Sequence, residues 1–560
     1  MRFMTSILTV ALVAAVVPCL HAQTSPKLTP PCPRYAAGST LVEPKDLFSS
    51  HGLLHVHLAY QTRVDEAGNT VFCFTDADGA QSPTLHVKPG DELVITLKND
   101  LPPSSAMPGM NMPSASPSPE IAATRSAVPD CGAMAMTATS TNMHFHGANI
   151  APVCHQDEVV KTLINSGETF EYDIHFPLNE PPGLYWYHPH IHGSSEGAVQ
   201  GGASGALIVD GMENVVPEVA GLPQRVLIFR DNLLPANPES AGNSGPSSDE
   251  PQNLPAWDLS LNYIPIPYPQ YTPVAIPMSP HQKQLWRVLN ASADTILDLQ
   301  LQYDGAAQPL RIVALDGVPT DSQDGVTGGH PITRDHILLP PAGRAEFVVT
   351  APGPRVKSAQ LVTLKVDTGP DGDNDPLRPV AVITPEVKTP TTALVLPASN
   401  GVPVALPRFA GLRSATPTVH RKLYFSEVLS DPSNPDSPTN FYITVAGQTP
   451  VLFSPDNPPA IVTTQGSVED WTIENHALEN HEFHIHQIHF LVLEKNHVPQ
   501  DGQYLDTIDV PFWSGTGPYP SVKLRMDFRG LVVGDFVYHC HILGHEDSGM
   551  MAIIRVLPHP

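Results

Sequence analysis

Short runs of alternating apolar and polar residues recur along this chain, separated by turns rich in proline and glycine. In Thr84-Leu85-His86-Val87-Lys88-Pro89-Gly90-Asp91-Glu92-Leu93-Val94-Ile95-Thr96-Leu97 the alternation breaks at Pro89-Gly90 and resumes, which predicts two strands joined by a Pro-Gly turn. Leu285-Trp286-Arg287-Val288-Leu289 and Ala345-Glu346-Phe347-Val348-Val349 read as strands in the same way. The predicted class is all-β.

A chain of 560 residues exceeds what one hydrophobic core organises and predicts about three to four domains. Residues 1–22 read as a secretory signal, with Arg2, an apolar run from Ile7 to Val17, and Ala22 before Gln23. Pro18 stands before Cys19 where a lipoprotein anchor requires a small residue, so the expectation is soluble export to the periplasm or the extracellular space. No later stretch is long and apolar enough to span a bilayer. The 56 acidic against 30 basic residues make a nucleic-acid partner improbable on electrostatic grounds.

Histidine placement supplies the chemistry. Four blocks stand out: His144-Phe145-His146-Gly147, His188-Pro189-His190, His481-Glu482-Phe483-His484-Ile485-His486, and Tyr538-His539-Cys540-His541 followed by His545 and Met550. In a strand, residues two apart share a face and residues an odd number apart do not. His144 with His146, His188 with His190, His484 with His486 and His539 with His541 therefore form same-face pairs, eight imidazoles in all. Cys540 and His481 face away from these pairs and are joined from the following loop by His545 and Met550. Thiolate, imidazole and a weak axial thioether favour copper in a trigonal electron-transfer geometry, whereas zinc sites rarely recruit methionine. One ion cannot use eight imidazoles, so the larger group implies a cluster of several ions. His155, His175, His192, His489 and His497 complete no pair and are expected to pack or to orient the ligands; His192 and His489 keep parity with their blocks.

The four blocks resemble those of the multicopper oxidases, the laccase-like blue copper enzymes of bacterial type, in order and with every ligand position filled. The resemblance implies three cupredoxin-like Greek-key β-barrels, placed at 36–212, 213–390 and 419–560, with a linker at 391–418. It implies four copper ions: type 1 on His481, Cys540, His545 and Met550, type 2 on His144 and His484, and a type 3 pair on His146, His188, His190, His486, His539 and His541. Parity does not separate type 2 from type 3, because their ligands share one face. The axial thioether of Met550 implies a low-to-middle type 1 potential. Two blocks fall before residue 200 and two after residue 480, so the cluster is expected where the first and last domains meet.

The expected partners are dioxygen and a small-molecule reductant, namely a phenol, an aromatic amine or Cu(I), with the chain acting as a monomer. Glu546 resembles the acid that bacterial members carry after this ligand histidine, and it is a candidate proton relay together with Asp157. Residues 103–141 hold Met107, Met110, Met112, Met134 and Met136 among Pro, Ser and Ala; they read either as soft donors for Cu(I) or as an insertion with incidental methionines. Residues 236–256 read as a surface loop. Of six cysteines, Cys19 leaves with the signal and Cys540 is committed to copper. Cys32, Cys73, Cys131 and Cys154 then predict two disulfides with three open pairings. A non-enzymatic electron carrier is the alternative class, disfavoured because a carrier needs only the type 1 site.

Overall fold

The structure is a computed structural model that describes residues 30–103, 131–232, 254–327, 329–386, 394, 406–434 and 437–559. The expected signal segment, Met107, Met110, Met112 and most of the 236–256 loop and the linker lie outside these residues. Residues 31–560 form one compact unit.

Three two-sheet sandwiches make up this unit, each with its own apolar core. In the first, a four-stranded sheet that includes Leu53–Val64 and Glu92–Asn99 faces a five-stranded sheet that includes Thr84–Val87, His144–His146, Gly183–His188 and Gly205–Val209. Leu58, Phe74, Ile95, Phe145, Tyr187 and Leu207 fill the space between them. The second core lies between an eight-stranded and a six-stranded sheet around Trp286, Leu299, Phe347 and Leu361, and the third between a seven-stranded and a five-stranded sheet around Trp471, Phe483, Leu524 and Tyr538. Three of the sheets branch at one strand, and among the described residues none closes on itself, so the expected barrels are unclosed sandwiches. The two strands around Pro89-Gly90 form, but in different sheets, because the turn carries the chain across the first core. Lys283–Asn290 and Arg344–Thr350 pair antiparallel in the middle sandwich.

The strand Gly183–His188, sequence GLYWYH, is buried along its whole length. Tyr185 and Tyr187 enter the first core, while Leu184 and Trp186 pack on Val226, Ile228, Leu289 and Ala342 of the middle sandwich. A strand apolar on both faces cannot stop at one core. Val159 packs with Phe453, Val537, Met551 and Ile553 to join the first and third sandwiches. Val318, Phe409 and Leu491 join the middle and third. Disulfides link Cys32 to Cys73 and Cys131 to Cys154, resolving the open pairing, and Cys540 is free.

A buried histidine clamps the edge of the first sandwich. His86 Nδ1 lies 3.0 Å from Asp210 and its Nε2 3.2 Å from Asp46, with the ring of Phe48 stacked at 4.3 Å. Burial opposes the imidazolium, but the two carboxylates outweigh it and hold the pKa above the ordinary 6.5. A raised folded pKa contributes stability that is complete in acid and fades as pH rises through it. His86→Leu is therefore expected to lower unfolding free energy by about 1.5–3 kcal/mol in acid. The deficit should shrink at alkaline pH in denaturant titrations of both proteins, and a pH-independent deficit contradicts the clamp.

Candidate metal centres

Cross-strand register builds the first centre. His481–Ile485 pairs antiparallel with Gly534–Cys540, setting Phe483 opposite Cys540 and His484 opposite His539. Alternation then sends His481 and Cys540 to one side. His545 comes to the same place from a short helix, Leu543–Asp547, rather than from the expected loop. That helix is anchored by Asp547, whose carboxylate accepts from the backbone N–H groups of Gly193, Ser195 and Glu196. His481 Nδ1 and His545 Nδ1 stand 3.1 Å apart, and Cys540 Sγ lies 3.6 and 3.8 Å from them. Met550 is fully buried in the same core as Cys540, and its carbonyl accepts from the Cys540 N–H at 3.0 Å. The Glu482 N–H donates to Cys540 Sγ at 3.3 Å. Burial pushes the Cys540 thiol well above its ordinary pKa, and a cation beside it would reverse that balance.

The second centre gathers all eight paired histidines. His190, His486 and His539 converge, with His539 Nε2 at 3.3 Å from His190 Nε2 and 3.1 Å from His486 Nε2. On the other side, the ring of His541 lies 5.0 Å from His146 and 5.7 Å from His188. His144 stacks on His486 at 3.8 Å and His484 on His146 at 3.9 Å, which leaves His144 and His484 6.2 Å apart. His190, His486 and His539 thus close one triad through their nitrogens, while the ring of His541 stands about as near to His484 and His539, at 5.4 and 5.3 Å, as to His146 and His188. His190, His486 and His541 lie just past their strand ends, yet the chain still delivers them to the common face.

Seven of the eight imidazoles are pushed toward the neutral form. Burial first, and neighbouring histidines second, place His146, His190, His484, His486 and His541 well below the ordinary pKa, and His539 falls to about 3. His144 Nε2, His146 Nδ1, His188 Nε2, His484 Nε2, His486 Nδ1 and both nitrogens of His541 are buried without a hydrogen-bond partner. Buried polar atoms are rarely left unpaired, and lone pairs converging from several rings suit a cluster of cations. The residues present therefore fit bound copper.

Outer partners fix the rings. His144 Nδ1 lies 3.0 and 3.1 Å from the two oxygens of Asp157, which also accept from the Phe145 N–H and from Gln487 Nε2. His146 Nε2 lies 3.1 Å from Asp506, and His484 Nδ1 donates to the Asp506 carbonyl at 2.8 Å. Glu546 reaches His539 Nδ1 at 3.2 Å and His190 at 3.8 Å, fully buried. Burial, with Asp547 adding repulsion, raises its pKa well above the carboxylate range and favours the protonated form. His489 lies outside the cluster, donating to the Asp316 carbonyl at 2.8 Å and standing 3.4 Å from Asp506. His192 instead packs edge-on against Phe453. His155 stacks on Phe170, while His175 and His497 are exposed.

Several neighbours were not foreseen from sequence. Glu427 accepts from His481 Nε2 at 2.9 Å, and Glu479 lies 3.5 Å from His545 Nε2. Burial and then the nearby Glu427 push Glu479 well above its ordinary pKa. Glu479 stands two residues before His481, a nearness in sequence that could have found it. Glu427, Asp506, Asp316 and Arg344 are distant in sequence and carry none.

Comparison with known proteins follows the same lines. Residues 110–214 and 432–560 each match a multicopper oxidase family model. No curated protein matches by sequence. Among solved structures, a multicopper oxidase from Campylobacter jejuni described as a metallo-oxidase is similar at a TM-score of 0.65 and 20% identity, covering 94% of this chain and 96% of that one. McoA from Aquifex aeolicus is similar at 0.65 and 18%, covering 93% and 100%. The laccase-like CueO from Ochrobactrum sp. is similar at 0.60 and 17%, covering 92% and 100%. At such identities the structures speak for fold, while the two matched segments, which together hold all four histidine blocks, are multicopper oxidase domains.

Proposed function

We propose that the protein is a laccase-like oxidase that couples one-electron oxidation of phenols or aromatic amines to four-electron reduction of dioxygen to water. One observation carries this reading: Cys540 Sγ belongs to the first centre while His539, bonded to it through one peptide unit, has its Nε2 in the second. In this reading His481, Cys540, His545 and Met550 hold type 1 copper, and His144 and His484 hold type 2. His146, His188 and His541 hold one type 3 ion, and His190, His486 and His539 the other. Copper bound there would supply the one-electron chemistry, drawing electrons from a reductant and delivering them to dioxygen.

The chain's own residues do the rest. The backbone between Cys540 and His539 is the shortest covalent path between the centres. Reduction of dioxygen consumes protons, and Glu546 stands beside His539 and His190 as a buried carboxyl able to give one up and be refilled. Asp157, tied to His144, Phe145 and Gln487, holds the His144 ring and lies within proton-transfer distance of it. Export by residues 1–22 remains part of the proposal.

A second reading is oxidation of Cu(I). Glu427 and Glu479 place carboxylates on the outer nitrogens of both type 1 histidines, where a cationic donor would sit, and the Campylobacter relative is described as a metallo-oxidase. Met134 and Met136 are exposed and offer soft donors.

Oxygen uptake by copper-loaded protein, measured with a phenol and with Cu(I) in parallel, tests both. Uptake with neither would sink the oxidase reading. Cys540→Ser should lose the thiolate charge-transfer absorption and uptake with either reductant, while keeping copper at the histidine cluster. Glu546→Gln should lower kcat about 100-fold while leaving anaerobic bleaching of the blue absorption unchanged; wild-type turnover removes Glu546 from proton delivery. For the second reading, Glu427→Gln with Glu479→Gln should lower kcat/KM for Cu(I) about tenfold, worth roughly 1.4 kcal/mol, with a smaller effect on a neutral phenol. Equal effects on the two substrates count against it.

A further inference from the structure

We infer that Arg344, from the middle sandwich that contributes none of the candidate ligands, is a positioning residue for the histidine cluster. This rests on the reading of that cluster as the oxygen-reducing copper site. Arg344 opens the strand Arg344–Thr350 and is fully buried. Its guanidinium grips Asp506 with two parallel bonds, Nη1 to Oδ1 at 2.6 Å and Nη2 to Oδ2 at 2.5 Å. The same Oδ1 is 3.1 Å from His146 Nε2 and accepts from the Thr507 hydroxyl, which itself lies 3.2 Å from His484 Nδ1. Arg344 Nε donates to the Leu184 carbonyl, in the strand that ends at His188. A single side chain thereby touches the supports of three of the four histidine blocks.

Its own placement is fixed from the middle sandwich. Asp316 accepts from the Arg344 N–H at 2.9 Å, and its other oxygen accepts from the Asp506 N–H at 3.2 Å. Gly147, which ends the first block, has φ +84°, and a Cβ there would meet Arg344 Nη2 at 2.4 Å and Asp506 Oδ2 at 2.6 Å. The glycine leaves the room that the fork occupies. A buried ion pair is a poor source of stability, since apolar replacements often do as well. What a planar fork supplies is a fixed direction for the carboxylate, and so for the imidazole leaning on it.

The test uses copper-loaded full-length protein. Arg344→Lys keeps the charge but cannot hold a carboxylate by two parallel bonds. It should lower kcat for oxygen consumption about tenfold and alter the paramagnetic signal of cluster copper, with the thiolate charge-transfer absorption intact. Asp316→Asn, whose side chain touches no candidate ligand, should shift the same signal in the same direction by less, and serves if the lysine variant fails to fold. Wild-type signal and turnover in both variants overturn the inference, as does parallel loss of the thiolate absorption and the cluster signal, which marks general unfolding. Wild-type protein that binds copper only at the thiolate centre overturns the functional reading instead.

Discussion

Neutral imidazoles driven together in a protein interior present lone pairs to one another, and no arrangement of protons satisfies eight of them at once. The whole structure is organised by that constraint. Five of the rings are held from behind by a carboxylate or a carbonyl, so that their inward nitrogens stay aimed at a common space. Asp157, Asp506 and Glu546 are fully or almost fully buried, and each touches the outer side of a cluster histidine. The cost of burying these charges and dipoles is met by bonds among them and, on the proposed reading, by the ions they enclose.

Much of this was legible in the chain. Alternation foretold the all-β class and the strands at Leu285–Leu289 and Ala345–Val349. Period two separated Cys540 and His481 from the eight paired histidines, because register between His481–Ile485 and Gly534–Cys540 preserves parity across the sheet. Parity could not divide the eight paired histidines among separate ions, since that division depends on which blocks face each other in space. It also misjudged His545, which a one-turn helix delivers rather than a loop. Barrels were expected where open sandwiches stand, because closure depends on edge strands whose partners no local pattern names. Arg344 and Asp506 are separated by 162 residues and Asp506 and His146 by 360, so nothing near either residue announces the contact.

The acids divide by what surrounds them. Asp157 accepts several donors and serves as an anchor. Glu546 has no neutral donor of comparable number and faces two imidazoles, which on the proposed reading leaves it free to exchange a proton. Glu427 and Glu479 lie instead at the outer nitrogens of the thiolate centre's two histidines, where on that reading they colour the approach of a reductant.

The strand Gly183–His188 belongs to two cores at once, and its final histidine stands beside His541, which is synthesised more than 350 residues later. A nascent or truncated chain can fold its first sandwich and still possess no cluster. Metal capture is thus a report on completion: the affinity for the ions is distributed over the docking of every unit, and a fault in any interface is read out as lost copper before it is seen as lost structure.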